Sequence, residues 1–179
     1  MKKLVIFLIA GIFMISLVSA HQPRIISSEK GEKGVNVIDP EISKAYYSGL
    51  KGKEHQYIID SDEEFNLYVG ILIPGREITH TVSVEVIKDN ETFALLDGEN
   101  FEWWEFYEEF GKDYYMAGPE LGVEFKSNLT VPAGIYDIRV FNGNNWGEYS
   151  LAIGDLEEFG LIEVIKAFFN VIRLKIWFF

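Results

Sequence analysis

Between Val131 and Asp155 the chain reads Val-Pro-Ala-Gly-Ile-Tyr-Asp-Ile-Arg-Val-Phe-Asn-Gly-Asn-Asn-Trp-Gly-Glu-Tyr-Ser-Leu-Ala-Ile-Gly-Asp. This is a turn, a strand, a second turn and a second strand. Pro132-Ala133-Gly134 sets the first turn, because proline fixes φ and glycine accepts positive φ. Ile135, Asp137 and Arg139 then alternate with Tyr136, Ile138 and Val140, one set for each face of a sheet. Asn142-Gly143-Asn144-Asn145 supplies a hairpin turn, since Asn and Gly enter the left-handed region at low cost. Tyr149, Leu151 and Ile153 form one apolar face of the returning strand.

The same period-two alternation recurs upstream. Phe65, Leu67, Val69, Ile71 and Ile73 all point one way, and Pro74-Gly75 stops that strand. Val82, Val84 and Val86 repeat the pattern, Asp89-Asn90 turns the chain, and Thr92 to Leu96 is the partner strand. Short strands are also expected at Val35 to Ile38, Ile42 to Leu50, Gln56 to Ile59 and Leu121 to Leu129, whereas Glu29 to Gly34 is charged and Gly-containing and predicts a solvated loop. About eight strands with turn signals every 8–12 residues predict an all-β fold, an antiparallel β-sandwich. The Val131 to Asp155 segment resembles the closing hairpin of bacterial and archaeal pre-peptidase C-terminal domains, whose pattern is Pro-Ala-Gly-x-Tyr followed by a Gly/Asn turn and Gly-x-Tyr-x-Leu. That resemblance implies a jelly-roll-like sandwich of the kind that accompanies extracellular enzymes as a targeting or folding accessory.

The first 20 residues predict a secretory signal. Lys2-Lys3 is the positive region, Leu4 to Val18 is uncharged and mostly apolar, and Val18-Ser19-Ala20 suits a signal peptidase. The alternative is an uncleaved N-terminal anchor. The division expected is therefore a leader over 1–20, a sandwich over 21–155 and a C-terminal amphipathic helix over 156–179. Loss of Lys2 and Lys3 with the leader takes the formal charge from -12 to -14. Nucleic acid is an unsuitable partner for so acidic a chain, because binding it requires clustered Lys and Arg. The absence of cysteine excludes Cys-based metal sites and nucleophiles, so a sandwich outside the cytoplasm must be held by packing alone. Gly-x-Ser-x-Gly, His-Glu-x-x-His, P-loop and dinucleotide motifs are all missing, and the expectation is a protein that is not an enzyme.

Three stretches carry candidate functions. In Phe101 to Tyr115, eight of 15 residues are aromatic and five acidic. Trp103, Phe106, Tyr107 and Phe110 have helical spacing, which predicts a short aromatic helix capping one mouth of the sandwich. Trp103, Trp104, Glu105 and Tyr107 are the candidate ligand platform, because aromatic faces stack on sugar rings while carboxylates take hydroxyls or calcium. A cell-surface glycan or a protein is the partner such a platform implies. Cleavage after Ala20 leaves His21 as the N-terminus, whose amine and imidazole can close on one metal. Completed by His55 or His80, such a site resembles the copper-binding histidine brace of lytic polysaccharide monooxygenases. In Leu161 to Phe179, 14 of 19 residues are apolar, while Glu163, Lys166, Asn170 and Arg173 form one narrow helical stripe. A helix of this kind docks on the domain, lies in a membrane interface or pairs with another chain; Lys175 and Trp177-Phe178-Phe179 suit a headgroup region.

Overall fold

The computed structural model describes residues 21–178 apart from 110, 125, 127 and 159, so the expected leader lies outside the described residues. The fold is an all-β sandwich. One sheet has six strands, in the order β1 (Gln22–Ile25), β3 (Lys44–Lys51), β13 (Trp146–Ile153), β6 (Val69–Pro74), β10 (Asp113–Leu121) and β9 (Trp104–Glu108). Facing it is a five-stranded sheet in the order β2 (Val35–Asn36), β4 (His55–Ser61), β12 (Gly134–Phe141), β7 (Ser83–Lys88) and β8 (Glu91–Leu96). A short pair, β5 (Phe65–Asn66) with β11 (Thr130–Val131), closes one side. Pairing is antiparallel except at one edge of each sheet, where β1 runs parallel to β3 and β2 parallel to β4. The expected purely antiparallel arrangement is thus corrected at those edges, because the N-terminal segment passes from the rim of one sheet to the rim of the other.

The alternation read from the sequence settles which side chains enter the core. Tyr136, Ile138 and Val140 of β12 are buried against Tyr149, Leu151 and Ile153 of β13, together with Val82, Val84, Val86 and the Phe65-to-Ile73 set. The two halves of the predicted hairpin are not paired with each other. β12 lies between β4 and β7 in one sheet, and β13 between β3 and β6 in the other. The turn at 142–145 therefore crosses from sheet to sheet, tied by Asn142 Nδ2 donating to Thr81 O and Trp146 O, both at 2.9 Å.

Four local expectations change. The charged stretch before Gly34 is a helix, α1 (Ser28–Lys33), rather than a loop. The Ser27 side chain caps it by accepting from Lys30 N, and Lys33 pairs with Glu29 one turn away at 2.6 Å. Gly31 lies directly on the core, where a Cβ would sit 2.4 Å from His55 Nδ1. The Phe65-to-Ile73 run is divided into β5 and β6 because it changes partners: through the Leu67 amide, bonded to Leu129 O at 2.9 Å, it follows β11, and from Val69 it pairs with β10 and β13. Among the described residues of 121–129 the strand stops at Leu121, where β10 ends, and the Asn128 side chain takes the Val123 amide at 3.2 Å. Finally, 101–115 is not a helix but the strand β9 and the start of β10, paired from Asp113↔Glu108 to Ala117↔Trp104. Trp, Phe and Tyr favour the pleated surface, and a run so rich in aromatics matches a helical period by density alone.

The second helix, α2 (Leu161–Trp177), lies against the outer face of the six-stranded sheet. Leu174 and Phe178 pack there with Tyr115, Tyr47, Leu72, Ile25 and Phe106, forming a second, smaller apolar cluster. Three polar ties fix it: Glu163 to Arg24 at 2.8 Å, Asn170 Nδ2 to Pro23 O at 2.9 Å, and Lys175 to Asp113 at 2.9 Å.

Candidate functional site

Because β9 is a strand, its side chains alternate between faces, and the four residues of the predicted platform are divided. Trp103 precedes the strand and turns inward; it is 6% exposed, and its Nε1 donates to Gly98 O at 2.7 Å. It belongs to the main core, and the ligand role assigned to it is corrected to a structural one. Trp104 is 55% exposed and lies on the outer face, opposite Ala117 and edge-on to Phe106 at 5.9 Å. Glu105 and Tyr107 point to the other face. There Tyr107 packs on Tyr114 at 4.8 Å, and Arg76 lies 3.6 Å over the Tyr114 ring while pairing with Glu105 at 3.1 Å. The strand leaves two separate surfaces: an Arg–Tyr–Glu rim facing the mouth of the sandwich, and Trp104–Phe106 beside the C-terminal end of α2.

The histidines are likewise distributed. His21 stands at the start of β1 with Ser43 Oγ 2.5 Å from Nδ1 and Glu124 Oε1 2.8 Å from Nε2, and its ring stacks on Tyr68. Serine, imidazole and carboxylate in line are the constituents of an acyl-transfer relay. Ser43, however, is 1% exposed, so its hydroxyl offers a substrate no approach; the chain of bonds ties β1 and β3 to the 122–129 loop. His55 is in the core, its Nδ1 2.7 Å from Tyr149 Oη, which in turn lies 2.9 Å from Tyr57 Oη. Burial holds the His55 imidazole below its ordinary value and pushes the Tyr57 and Tyr149 hydroxyls up. His80 is in the loop before β7, its Nε2 2.7 Å from Glu148 O and its ring against Gly147.

The spacing along β3 shows how far apart these rings are. His21 bonds Ser43, His55 lies against Ser48, and His80 lies at Gly147, the partner of Leu50. At the rise of a strand these positions put the second and third histidines about 16 and 23 Å from the first. A shared copper needs ligands within roughly 2 Å of one point, so the structure does not bring His21, His55 and His80 together. Among the described residues no group of three or more His, Cys, Asp or Glu side chains is placed to hold a metal ion.

One polar anchor escapes any sequence signal. Lys44 opens β3 and is buried, with Nζ donating to Ile38 O, Asp39 O and Ile42 O at 2.9, 2.7 and 3.3 Å. Burial pushes its ammonium down to about 8, with Asp39 opposing the shift. The hydrophobic alternation of the surrounding strand predicts no lysine there, and only the fold brings three carbonyls to its tip.

A group of large apolar side chains is exposed on α2. Ala167, Leu174 and Phe178 are buried beneath it, but Ile165, Phe169, Ile172 and Ile176 are 60, 60, 46 and 79% exposed. At 100° per residue these four fall within about 60° of one another, opposite the buried side. Lys166 and Arg173 flank the stripe on one side and Lys175 on the other. The one acidic residue of the helix, Glu163, is partly covered; Lys166, then Arg24, hold its carboxyl below the usual range. Among the described residues no helix is long and apolar enough to cross a membrane.

No family model and no curated protein matches this chain. Among solved structures, the chain is similar to the catalytic domain of GH87 alpha-1,3-glucanase in complex with nigerose, at a TM-score of 0.30 and 12% identity. The match covers 62% of this chain and 22% of that one, and a likeness of that size carries no argument about fold or role.

Proposed function

We propose that this protein is a non-catalytic extracytoplasmic β-sandwich module that attaches to a cell surface, the sandwich serving as a rigid support for the contact surface on its outer side. One observation carries the reading. The groups able to do chemistry are spent as ties within the fold, whereas large apolar side chains are displayed on the outside of the six-stranded sheet. His21 is held by Ser43 and Glu124, His55 by Tyr149, and the Trp103 indole by Gly98 O. Trp104 and the outer side chains of α2 meet solvent instead. An apolar area grouped on one side of a soluble domain marks an interaction surface. The resemblance of Val131 to Asp155 to the closing hairpin of pre-peptidase C-terminal domains is in keeping with an accessory role, and the leader-like first 20 residues are in keeping with export.

Two measurements test it. Intact mass of the exported protein should correspond to a chain beginning at His21. The same material should sediment with isolated cell walls or with lipid vesicles; protein that stays in the supernatant with both overturns the reading. So does an esterase or peptidase activity that disappears in Ser43→Ala, since that would make the His21 cluster a working relay.

A further inference from the structure

We propose that the outer face of α2 is a prefolded docking surface for an anionic lipid bilayer. The inference rests on the surface-attachment reading and names the surface. Three properties of the helix select lipid over other occupants. First, the inner side is already engaged by Leu174, Phe178, Arg24, Pro23 and Asp113, so α2 is held in place with Ile165, Ile172 and Ile176 pointing away from the protein. Docking therefore carries no cost of folding the helix at the membrane. Second, the stripe itself holds no hydrogen-bonding side chain, which suits acyl chains and not a sugar. Third, the charge is complementary. The chain has a formal net charge of -12, yet the exposed flanks of α2 are Arg173, Lys166 and Lys175, the two lysines being more exposed than Glu163 and Asp113, the carboxylates they pair with.

That third property also argues against a second copy of this chain. A two-fold contact through α2 sets basic flanks against the same basic flanks, with no exposed carboxylate on the helix to answer them. An anionic headgroup layer answers Arg173 and adds a second anionic partner on the exposed side of Lys166 and Lys175, which Glu163 and Asp113 hold from the protein side. The acidic remainder of the molecule is repelled by the same layer, so that the protein orients with α2 toward it. Trp104, exposed on the same outer face beside Phe106, is placed at the rim of the docking side, where indole rings favour the headgroup region. The helix lies flat in the interface and does not cross it.

The test is co-sedimentation of the full protein with vesicles of phosphatidylglycerol and phosphatidylcholine, with pure phosphatidylcholine vesicles, and with cell-wall polymer. The parent should bind the anionic vesicles and lose at least about tenfold in partitioning on pure phosphatidylcholine or in 0.5 M salt. Lys166→Gln/Arg173→Gln should lose a comparable factor, and Ile172→Ser/Ile176→Ser should abolish binding. Both variants should melt with the parent, because the altered side chains are outside the core. Equal binding to both vesicle types, or unchanged binding of either variant, overturns the proposal. So does a parent that is dimeric by light scattering and becomes monomeric in Ile172→Ser/Ile176→Ser, for then a second copy covers the face. Retention on cell-wall polymer without vesicle binding refutes the lipid inference while leaving surface attachment standing.

Discussion

Trp103 and Trp104 are adjacent in sequence and opposite in environment, and replacing each by alanine separates core from surface. Trp103→Ala removes an indole from a packed interior and orphans Gly98 O, which it holds at 2.7 Å. Large-to-small changes of this kind cost ~3–5 kcal/mol, of which the hydrogen bond accounts for about 1. For a chain of this size that lowers Tm by about 6–20 °C. Trp104→Ala takes away an exposed ring whose contact is the edge of Phe106, and should cost within about 1 kcal/mol. Gly118 supplies a second reading of the same packing. A Cβ there would lie 2.6 Å from Cη2 and Cζ3 of the Trp103 ring and 2.9 Å from Ile71 Cγ2. Gly118→Ala in the parent should therefore cost ~1–3 kcal/mol by overpacking. In the Trp103→Ala background the indole clash is gone, and the same change should cost less by ~0.5–3 kcal/mol. Urea unfolding followed by far-ultraviolet circular dichroism gives all four stabilities. If Trp104→Ala matches Trp103→Ala, or if Gly118→Ala and Trp103→Ala simply add, the placement of the indole beneath Gly118 is wrong.

Three further outcomes are expected. Tyr136→Ala should cost ~3–5 kcal/mol, since the ring is fully buried edge-on to Phe65 and its hydroxyl donates to Pro132 O at 2.8 Å; a loss below ~1 kcal/mol in a urea titration would place that face of β12 outside the core. Burial lowers the His55 pKa from 6.5, so on acidification the unfolded chain takes up a proton before the folded one does. Its contribution is then complete above that pH and is lost as pH falls below it, and His55→Gln should flatten the difference in unfolding free energy between pH 7.5 and 5.5; an unaltered difference counts against a buried neutral imidazole. Arg24→Ala removes the partner of Glu163 at the N-terminal end of α2, and amide exchange over 161–177 should accelerate while β12 and β13 are unaffected; equal protection in both proteins would mean that apolar packing alone holds the helix.

The elements that alternation could reveal are the ones whose inner and outer faces meet different solvents. Val84, Tyr136, Ile138 and Leu151 read correctly as core because a period of two has one geometric solution when one face is buried. The same signal is silent about partners. Nothing in Val131 to Asp155 distinguishes a hairpin within one sheet from a crossing between two, since both place Tyr136 and Tyr149 inward. Aromatic density misled at 101–115, where a strand and a helix differ only in which residues are opposed, and pairing with Asp113–Ala117 decides that. At the candidate platform the sequence could not separate Trp103, which is buried, from Trp104 and Tyr107, which are exposed, because only the placement of β9 at the sheet edge decides which side chains the core covers.

By itself the sequence determined the all-β class, the positions of the principal turns, most of the core and the amphipathic character of the C-terminal segment. Each of these follows from local periodicity and from the φ preferences of Pro, Gly and Asn. The tertiary structure alone decided what depends on distant segments meeting. It set the parallel edges, the Ser43–His21–Glu124 and His55–Tyr149–Tyr57 ties, and the three carbonyls around Lys44. It also decided which side of α2 is buried. An apolar helix with a narrow polar stripe has several sides able to face a core, and only the sheet beneath it, through Arg24, Pro23 and Asp113, selected Leu174 and Phe178 for the inside and left Ile165, Ile172 and Ile176 outside.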